Sequence, residues 1–402
     1  MIGWSGRRKT LTILAFILPT LIGVLVFSVY PFIFNVFISL TDRGKFHPNP
    51  DCSQALWRIV EPRCWLSQEK VGIAEPFAIR EPWYQNYVDL IGGLFKAPGP
   101  QSLLLILIAA VPLLGAWYIN RRLDRQLTRP VSSAVVWLGG LAVAVLVGWL
   151  IKVPEAYQEL LDSGDFIMVN VRTILYVLVC MPLFFVVGLT MAILLNNKFL
   201  RGVTFFRVAL IVPWAASTVA IMMSLVWQFF FRGQGTINQI LKLVNIQGPT
   251  YLNDDLWAFA IVVLVNLWYT YPFFMVTILG GLQSVPVELY EAAEVDGATW
   301  WRQLLNITLP LLRPTVLPII VLSTLTTYKV DAVVWGITQG GPVKGAGTPG
   351  ATEFVMVHAY KQIFQTQAFG RMGAFAVILF VALFAATLYS LRITRITEGA
   401  YE

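Results

Sequence analysis

The sequence of 402 residues is 57% hydrophobic and 13% charged, with a formal net charge of +7. So little polar surface cannot clothe a water-soluble globule of this size, which leaves lipid as the solvent and a mean hydropathy of +0.69 as its signature. The basic balance comes largely from Lys and Arg clusters beside apolar runs, so it calls for no nucleic-acid partner.

In chain order, apolar runs long enough to cross a hydrocarbon core of about 30 Å lie at Leu11–Leu40, Ser102–Ile119, Val131–Ile151, Val169–Leu195, Phe206–Phe231, Leu256–Leu282, Pro310–Ile337 and Gly373–Leu391. This pattern predicts an all-α polytopic membrane protein of about eight transmembrane helices. Arg7, Arg8 and Lys9 precede the first run, which is long and has no small-residue cleavage site after it, so it reads as a retained span covering 1–41. Residues 42–100 read as an extracytoplasmic loop rich in Pro and Trp. Its Cys52 and Cys64 either close a small disulfide-bonded loop or stand as separate thiols, and Cys180 reads as packing within a helix. Residues 101–152 read as an inserted two-helix hairpin. Positive clusters at Arg7–Lys9, Arg121/Arg122/Arg125/Arg129, Lys198/Arg201/Arg207, Arg302/Arg313 and Arg392/Arg395 fall in alternate segments, which places both termini in the cytoplasm.

Between two apolar runs lies a polar, helix-forming island. Pro286 can open a short helix and Gly297 can close it in the left-handed conformation, giving about three turns. A second segment comes next, with Thr299 able to cap it and Trp300, Trp301, Leu304, Leu305 and Ile307 on an apolar face up to Pro310. The result is a helix–Gly–helix knob, either shaped for a groove on another protein or an ordinary amphipathic connection.

These residues carry a family resemblance. Glu291-Ala292-Ala293, then Gly297, then Ile307 and Leu309-Pro310, resemble in residue and spacing the EAA signature of membrane subunits of ABC importers. The resemblance implies that roughly Pro286–Gly297 is a coupling helix that docks into a cleft on a cytoplasmic ATPase, with Glu288, Glu291, Ala292, Ala293, Asp296 and Gly297 at the contact. It also implies a permease core over 165–395, a second permease, two ATPase subunits that bind ATP and Mg, an extracytoplasmic sugar-binding protein and a location in the cytoplasmic membrane. Asn196–Gly202, Phe205-Phe206-Arg207, Pro213, Trp268, Pro272, Gly281-Leu282-Gln283 and Thr338-Gln339-Gly340-Gly341-Pro342 resemble the sugar-importing branch, particularly its maltose-type first permease. The early part departs from that pattern. After Trp83-Tyr84-Gln85-Asn86-Tyr87 the hairpin intervenes before the next core helix, and the large extracytoplasmic domain of the maltose type is missing or reduced to 42–100.

Two polar sets inside the core are candidates for solute contact. Asn266, Tyr269, Thr270 and Phe273 stand at i, i+3, i+4 and i+7, which puts amide, hydroxyl and aromatic groups on one helical face. Such a face suits sugar hydroxyls and ring faces, and equally suits interhelical hydrogen bonding. Pro272 can free a carbonyl towards a cavity. Thr326, Thr327, Tyr328, Lys329 and Asp331 form the second set, which by the resemblance aligns with a sugar-contacting stretch. Lys329 and Asp331 do not face each other on an ideal helix, so each either pairs elsewhere, in this chain or a partner subunit, or borders a water-filled cavity.

Phosphate-loop, zinc-protease and nucleophile-elbow motifs are absent from the sequence, and His47 and His358 are too far apart to suggest a metal site. The expectation is therefore a transport subunit that itself binds no cofactor and catalyses no reaction. Its solute would be a disaccharide or short α-glucoside of the maltose or trehalose kind. The alternatives are another polyol, glycoside or glycerol-phosphate solute or, from other classes, a secondary carrier or a membrane-embedded enzyme.

Overall fold

The computed structural model describes residues 7–47, 77–96, 98–123, 131–197, 201–345 and 347–398. Cys52, Cys64, Arg125, Arg129 and Lys198 lie outside the described residues, as does much of the 42–100 loop. Within the described residues the regular structure is helical, and the extended contacts are isolated bridges from Thr41 to Ile79 and Gly44 to His47. Among the described residues six helices are long and apolar enough to cross a membrane, or up to eight if each of two bent helix pairs is one span.

The chain forms two compact units, Met1–Gly92 with Ala359–Ala382, and Gly93–His358 with Leu383–Glu402. In the first, α1 (Arg7–Val24) and α2 (Tyr30–Ile38) join through a π-turn at Leu25–Val29. The short α3 (Gln85–Ile91) closes back on the end of α2, where the Asn86 amide donates to the Ser39 and Thr41 carbonyls, each at 2.8 Å. Arg80 donates to Asn86 at 2.7 Å and to Asp89 at 2.8 Å. Burial pushes the Asp89 carboxyl up, but hydrogen bonds from Gln85 and Arg80, aided by the charges of Arg80 and Arg371, leave it below its ordinary value. Thus the Trp83–Tyr87 segment is pinned by backbone carbonyls that would otherwise end α2 unpaired.

In the second unit, α4 (Gly99–Leu123) and α5 (Ser133–Leu150) pack against each other, with Ser133 and Asn120 hydrogen-bonded at 2.8 Å and Gly140 pressed on Ala116. Their outward faces expose Leu104, Leu107, Leu138, Leu141 and Val145, as a lipid-facing surface should. The third predicted run, Val131–Ile151, holds α5, and a further helix follows it. Lys152 turns into the left-handed region (φ 57°) and the chain bends by 68° into α6 (Val153–Asp162), whose Glu159 accepts a hydrogen bond from Ser102 at 2.8 Å. Pro154 sits in the first turn of α6, where its missing N–H is tolerated.

The core of this unit is the pairing of α7 (Asp165–Leu195) with α11 (Asp255–Gln283). Tyr176, Cys180 and Phe184 from α7 meet Val262, Val265, Phe274 and Met275 from α11, all buried. Between apolar helices in lipid, close van der Waals contact supplies much of the attraction, and Gly188 permits it: a Cβ there would lie 2.5 Å from the Phe274 Cβ. Around this pair lie α8 (Val203–Ala215), α9 (Ala220–Phe231) with the short α10 (Thr236–Leu243) packed on it, α14 (Leu309–Tyr328) and α15 (Ala332–Ile337).

Two predicted spans need correction. The run Phe206–Phe231 is not straight: around a 3-10 turn at Ala216–Val219 the chain bends by 97° between α8 and the segment beginning with α9. Pro213, which removes one rung of the helical ladder just before the turn, accounts for weakness there. The run Pro310–Ile337 is also redrawn. Helix begins upstream at Trp300, continues through Pro310, stops at Tyr328 and restarts as α15 after Lys329–Asp331. A π-turn at Leu304–Thr308 just before Pro310 makes the room that a proline needs inside a helix.

Replacing Gly188 with Val is expected to lower the melting temperature of the purified protein measurably, since overpacking a tight helix contact costs about 1–3 kcal/mol. Gly139→Ala, where an added Cβ meets nothing within 4 Å, is the control for an added side chain in a helix and should melt no lower than the parent. Equal melting of parent and Gly188→Val would refute the role given to this contact.

Candidate functional site

After α11 ends at Gln283, the island folds into α12 (Glu288–Val295), shorter than the three turns expected from Pro286 to Gly297. Gly297 has φ +71°, and two bonds close the turn: Gly297 N–H to the Glu294 carbonyl at 3.0 Å and Ala298 N–H to the Ala293 carbonyl at 2.8 Å. That pair is the Schellman arrangement, which satisfies terminal carbonyls but requires the left-handed residue. Thr299 has the extended backbone of a cap, but its side chain makes no capping bond; its carbonyl accepts from Gln303 instead, at 3.0 Å. The second segment, α13 (Trp300–Gln303), then runs into α14 through the π-turn and does not end at Pro310.

Hydrogen bonds hold the knob to the start of the next helix: Tyr290 and Thr308 hydroxyls lie 3.0 Å apart, and the Gln303 amide donates to the Ala298 carbonyl at 3.4 Å. Ile193, Leu282, Tyr290 and Trp300 help line a cavity of about 320 Å³ beneath it. Glu288, Glu291, Ala292, Asp296 and Gly297 are exposed and Ala293 is half-buried. Beside them Val295 is 89% exposed, and Trp300 and Trp301 pack edge to face at the surface. Neither Glu288 nor Glu291 forms an ion pair among the described residues. An acidic, apolar-tipped face on a braced turn is thus open to contact from outside the chain.

Asn266, Tyr269, Thr270 and Phe273 do lie on a single helix, α11, but their surroundings differ. Asn266 is 6% exposed; its carbonyl oxygen accepts from Thr270 at 3.5 Å, while its amide nitrogen is buried and completes no hydrogen bond among the described residues. Tyr176 and Cys180 of α7 lie close by, and the Tyr176 hydroxyl is equally unsatisfied. Tyr269 is buried and donates to the Ala220 carbonyl at 3.2 Å, where α9 begins. Thr270 and Phe273 are half-buried. Phe273 stacks on Trp214 (centroids 6.2 Å apart, planes at 26°), a partner the single-helix pattern could not reveal because it comes from α8.

The second set lies at the break between α14 and α15. Thr326 is exposed and bonds its own helix at the Leu322 and Ser323 carbonyls, whereas Thr327 is buried. Tyr328 donates to Asn170 of α7, fixing the end of α14. Lys329 and Asp331 are exposed, and the Asp331 carboxylate caps α15 by accepting from Ala332 N–H at 2.6 Å. Neither forms an ion pair among the described residues. No hydrogen bond there joins this set to the α11 stripe, although both α14 and α15 pack on α11. The described residues contain no cluster of metal-binding side chains.

Residues 171–395 match the family described as the binding-protein-dependent transport system inner membrane component. The chain belongs to that family. As a member it is a multi-pass permease subunit of the inner membrane, a transport component of ABC importers and not an enzyme. It is 33% identical over 241 residues to the sulfoquinovosyl glycerol transport system permease protein of Agrobacterium fabrum, covering 60% of this chain and 76% of that one. With the trehalose/maltose transport system permease protein of Thermococcus litoralis the identity is 29% over 240 residues, covering 60% and 78%. Among solved structures, a bacterial alginate ABC transporter in complex with its alginate pentasaccharide-bound periplasmic protein shares the fold, with TM-score 0.50 and 18% identity over 66% of this chain and 92% of that one.

Gly297→Val forces a β-branched residue into the left-handed region, at a cost on the order of 1–2 kcal/mol. Hydrogen–deuterium exchange should then speed up several-fold at the Gly297 and Ala298 amides while α11 stays protected. Unchanged exchange at these amides would contradict the Schellman closure.

Proposed function

We propose that this permease pairs with a second, similar permease to line the path of an ATP-driven sugar importer. In this reading a binding protein delivers solute at the outer face, and two ATPase subunits holding ATP and Mg engage α12 and its counterpart. Hydrolysis in those subunits supplies the free energy for alternating access. Both termini then lie in the cytoplasm, on the same side as α12.

The observation that carries the proposal is the exposed, acidic α12, braced by a Schellman turn and continuous with a membrane helix. Glu288, Glu291, Ala292, Ala293, Asp296 and Gly297 form the docking face. The open carboxylates favour a cleft that offers positive charge or N–H donors. Glu291→Lys should therefore reduce recovery of the ATPase with the affinity-purified permease by about tenfold, and full recovery would remove Glu291 from the contact.

The solute reading, a disaccharide or short α-glucoside, draws support from the trehalose/maltose relative. Asn266 and Thr270 offer amide and hydroxyl groups, and Phe273 with Trp214 offers an aromatic face on which a sugar ring can stack. An unsatisfied Asn266 amide in a low-dielectric core is costly, and a solute hydroxyl would relieve it. Tyr269 positions the stripe through its bond to α9. Thr326, Thr327, Lys329 and Asp331 border the helix break, where irregular backbone in a membrane is expected to face protein or an aqueous cavity. The Agrobacterium relative favours a second reading, a glycoside of glycerol, within the same class.

Uptake of labelled maltose and trehalose by the reconstituted importer tests the stripe. Asn266→Leu and Phe273→Ala should each cost about 1–3 kcal/mol, roughly tenfold or more in apparent affinity, with assembly intact. Wild-type affinity in both assembled variants would make the stripe a purely structural contact.

A further inference from the structure

Resting on the sugar-permease reading, we infer that a polar cleft at the end of the core remote from α12 is a solute subsite for an anionic sugar, one that bears a carboxylate or sulfonate. The cleft encloses about 430 Å³, within the range of small-molecule sites, and Gln228, Arg232, Thr250, Asn253, Thr338 and Gln339 line it. Thr250 and Asn253 immediately precede α11, whereas α12 comes after it. The 29 residues of α11, at about 1.5 Å each, therefore separate the cleft from the coupling face by about 40 Å. If α12 meets an ATPase in the cytoplasm, the cleft opens where solute arrives.

Its charge balance sets the class of solute. Arg232 lines the cleft, and no carboxylate among the described residues lies within ion-pair distance of it. The two acids nearest in sequence to Asn253 are engaged elsewhere. Asp254 accepts from the Leu256 and Trp257 N–H groups at 3.0 Å each, and Asp255 pairs with Lys344. Arg232 is also held in place: its Nη2 donates to the Gln228 side-chain oxygen at 2.9 Å, and the Gln228 nitrogen donates to the Ile337 carbonyl at 2.9 Å. A guanidinium fixed at one edge still presents its remaining N–H groups as a planar fork, the geometry that suits a carboxylate or sulfonate.

The rest of the lining suits sugar hydroxyls. Asn253 and Gln339 are exposed amides, and Thr250 adds a hydroxyl. Gln339 sits in the left-handed region (φ 52°) within Thr338-Gln339-Gly340-Gly341-Pro342, while Thr338 is tied to Thr352, their hydroxyls 2.6 Å apart. The Thr-x-Gly-Gly-Pro motif thereby sets Gln339 in the lining, on the stretch that the Gln228–Ile337 bond ties to the end of α9.

The test is uptake by the assembled importer, with its binding protein, of three labelled probes that differ at one carbon: sulfoquinovosyl glycerol, glucuronosyl glycerol and neutral glucosyl glycerol. The expected result is transport of at least one acidic probe by the parent. Arg232→Gln should lower the acidic-to-neutral uptake ratio about tenfold, and Arg232→Lys should restore part of it. If Arg232→Gln fails to assemble, Asn253→Leu is read instead, and it should lower uptake of the transported acidic probe about tenfold. A parent that moves only the neutral probe, or variants that leave these quantities unchanged, would overturn the proposal. Equal loss of all probes with loss of binding-protein-stimulated ATP hydrolysis would also overturn it, making the cleft a docking surface. A parent that moves no sugar at all would defeat the sugar-permease reading itself, and this inference with it.

Discussion

Inside hydrocarbon every backbone N–H and C=O must find its partner within the protein, and that constraint governs where this chain bends. Interruptions in the membrane-crossing helices take forms that keep most of the ladder paired: π-turns at Leu25–Val29 and Leu304–Thr308, a 3-10 turn at Ala216–Val219, and a restart at Ala332 capped by the Asp331 carboxylate. The break after Tyr328 is the most open of these. Backbone turn bonds from Lys329 and Val330 to the Thr326 and Thr327 carbonyls are joined there by polar side chains, with Tyr328 bonded to Asn170 and Asp331 turned onto the new helix.

The same economy explains why α7 and α11 sit at the centre. Both are apolar over most of their surface, so lipid would solvate either one as well as the other helix does. What favours the pair is closeness, through Gly188 against Phe274, together with ring contacts such as Phe184 with Phe274 at 5.9 Å. Into this otherwise dry seam the sequence places Tyr176, Cys180 and Asn266. The Tyr176 hydroxyl and the Asn266 amide nitrogen are left without partners among the described residues, and such a departure is more often kept for function than for stability.

Much of this architecture is legible in the sequence. Runs of twenty apolar residues announce membrane helices whatever their packing, and Gly297 between two helical patterns announces its turn. Interruptions are harder to see, because Pro213 and Pro310 look alike in sequence. One precedes a 97° bend and the other is absorbed in a continuous helix. The difference lies in neighbours, since the π-turn at Leu304–Thr308 makes room for Pro310 within the helix. Likewise the face of α11 is readable at helical spacing, but Trp214 beside Phe273 and Ala220 beneath Tyr269 come from other helices and leave no local trace. The cleft at Arg232 is assembled from three separate stretches of chain, so no window of sequence could display it.

The continuity of helix from Trp300 to Tyr328 has a mechanical consequence. At about 1.5 Å per residue, its 29 residues make a rod of about 43 Å with the α12 knob hydrogen-bonded near one end and the Lys329–Asp331 break at the other. A push on the knob that tilts such a rod by a few degrees, about a pivot where Leu312, Val316 and Ile319 are clamped in the core, swings the far tip by an ångström or more. Because the tip ends at a break in the helix and not in a continuous rod, that swing is delivered where backbone can yield, so a stroke at one end of the rod becomes a rearrangement at the other.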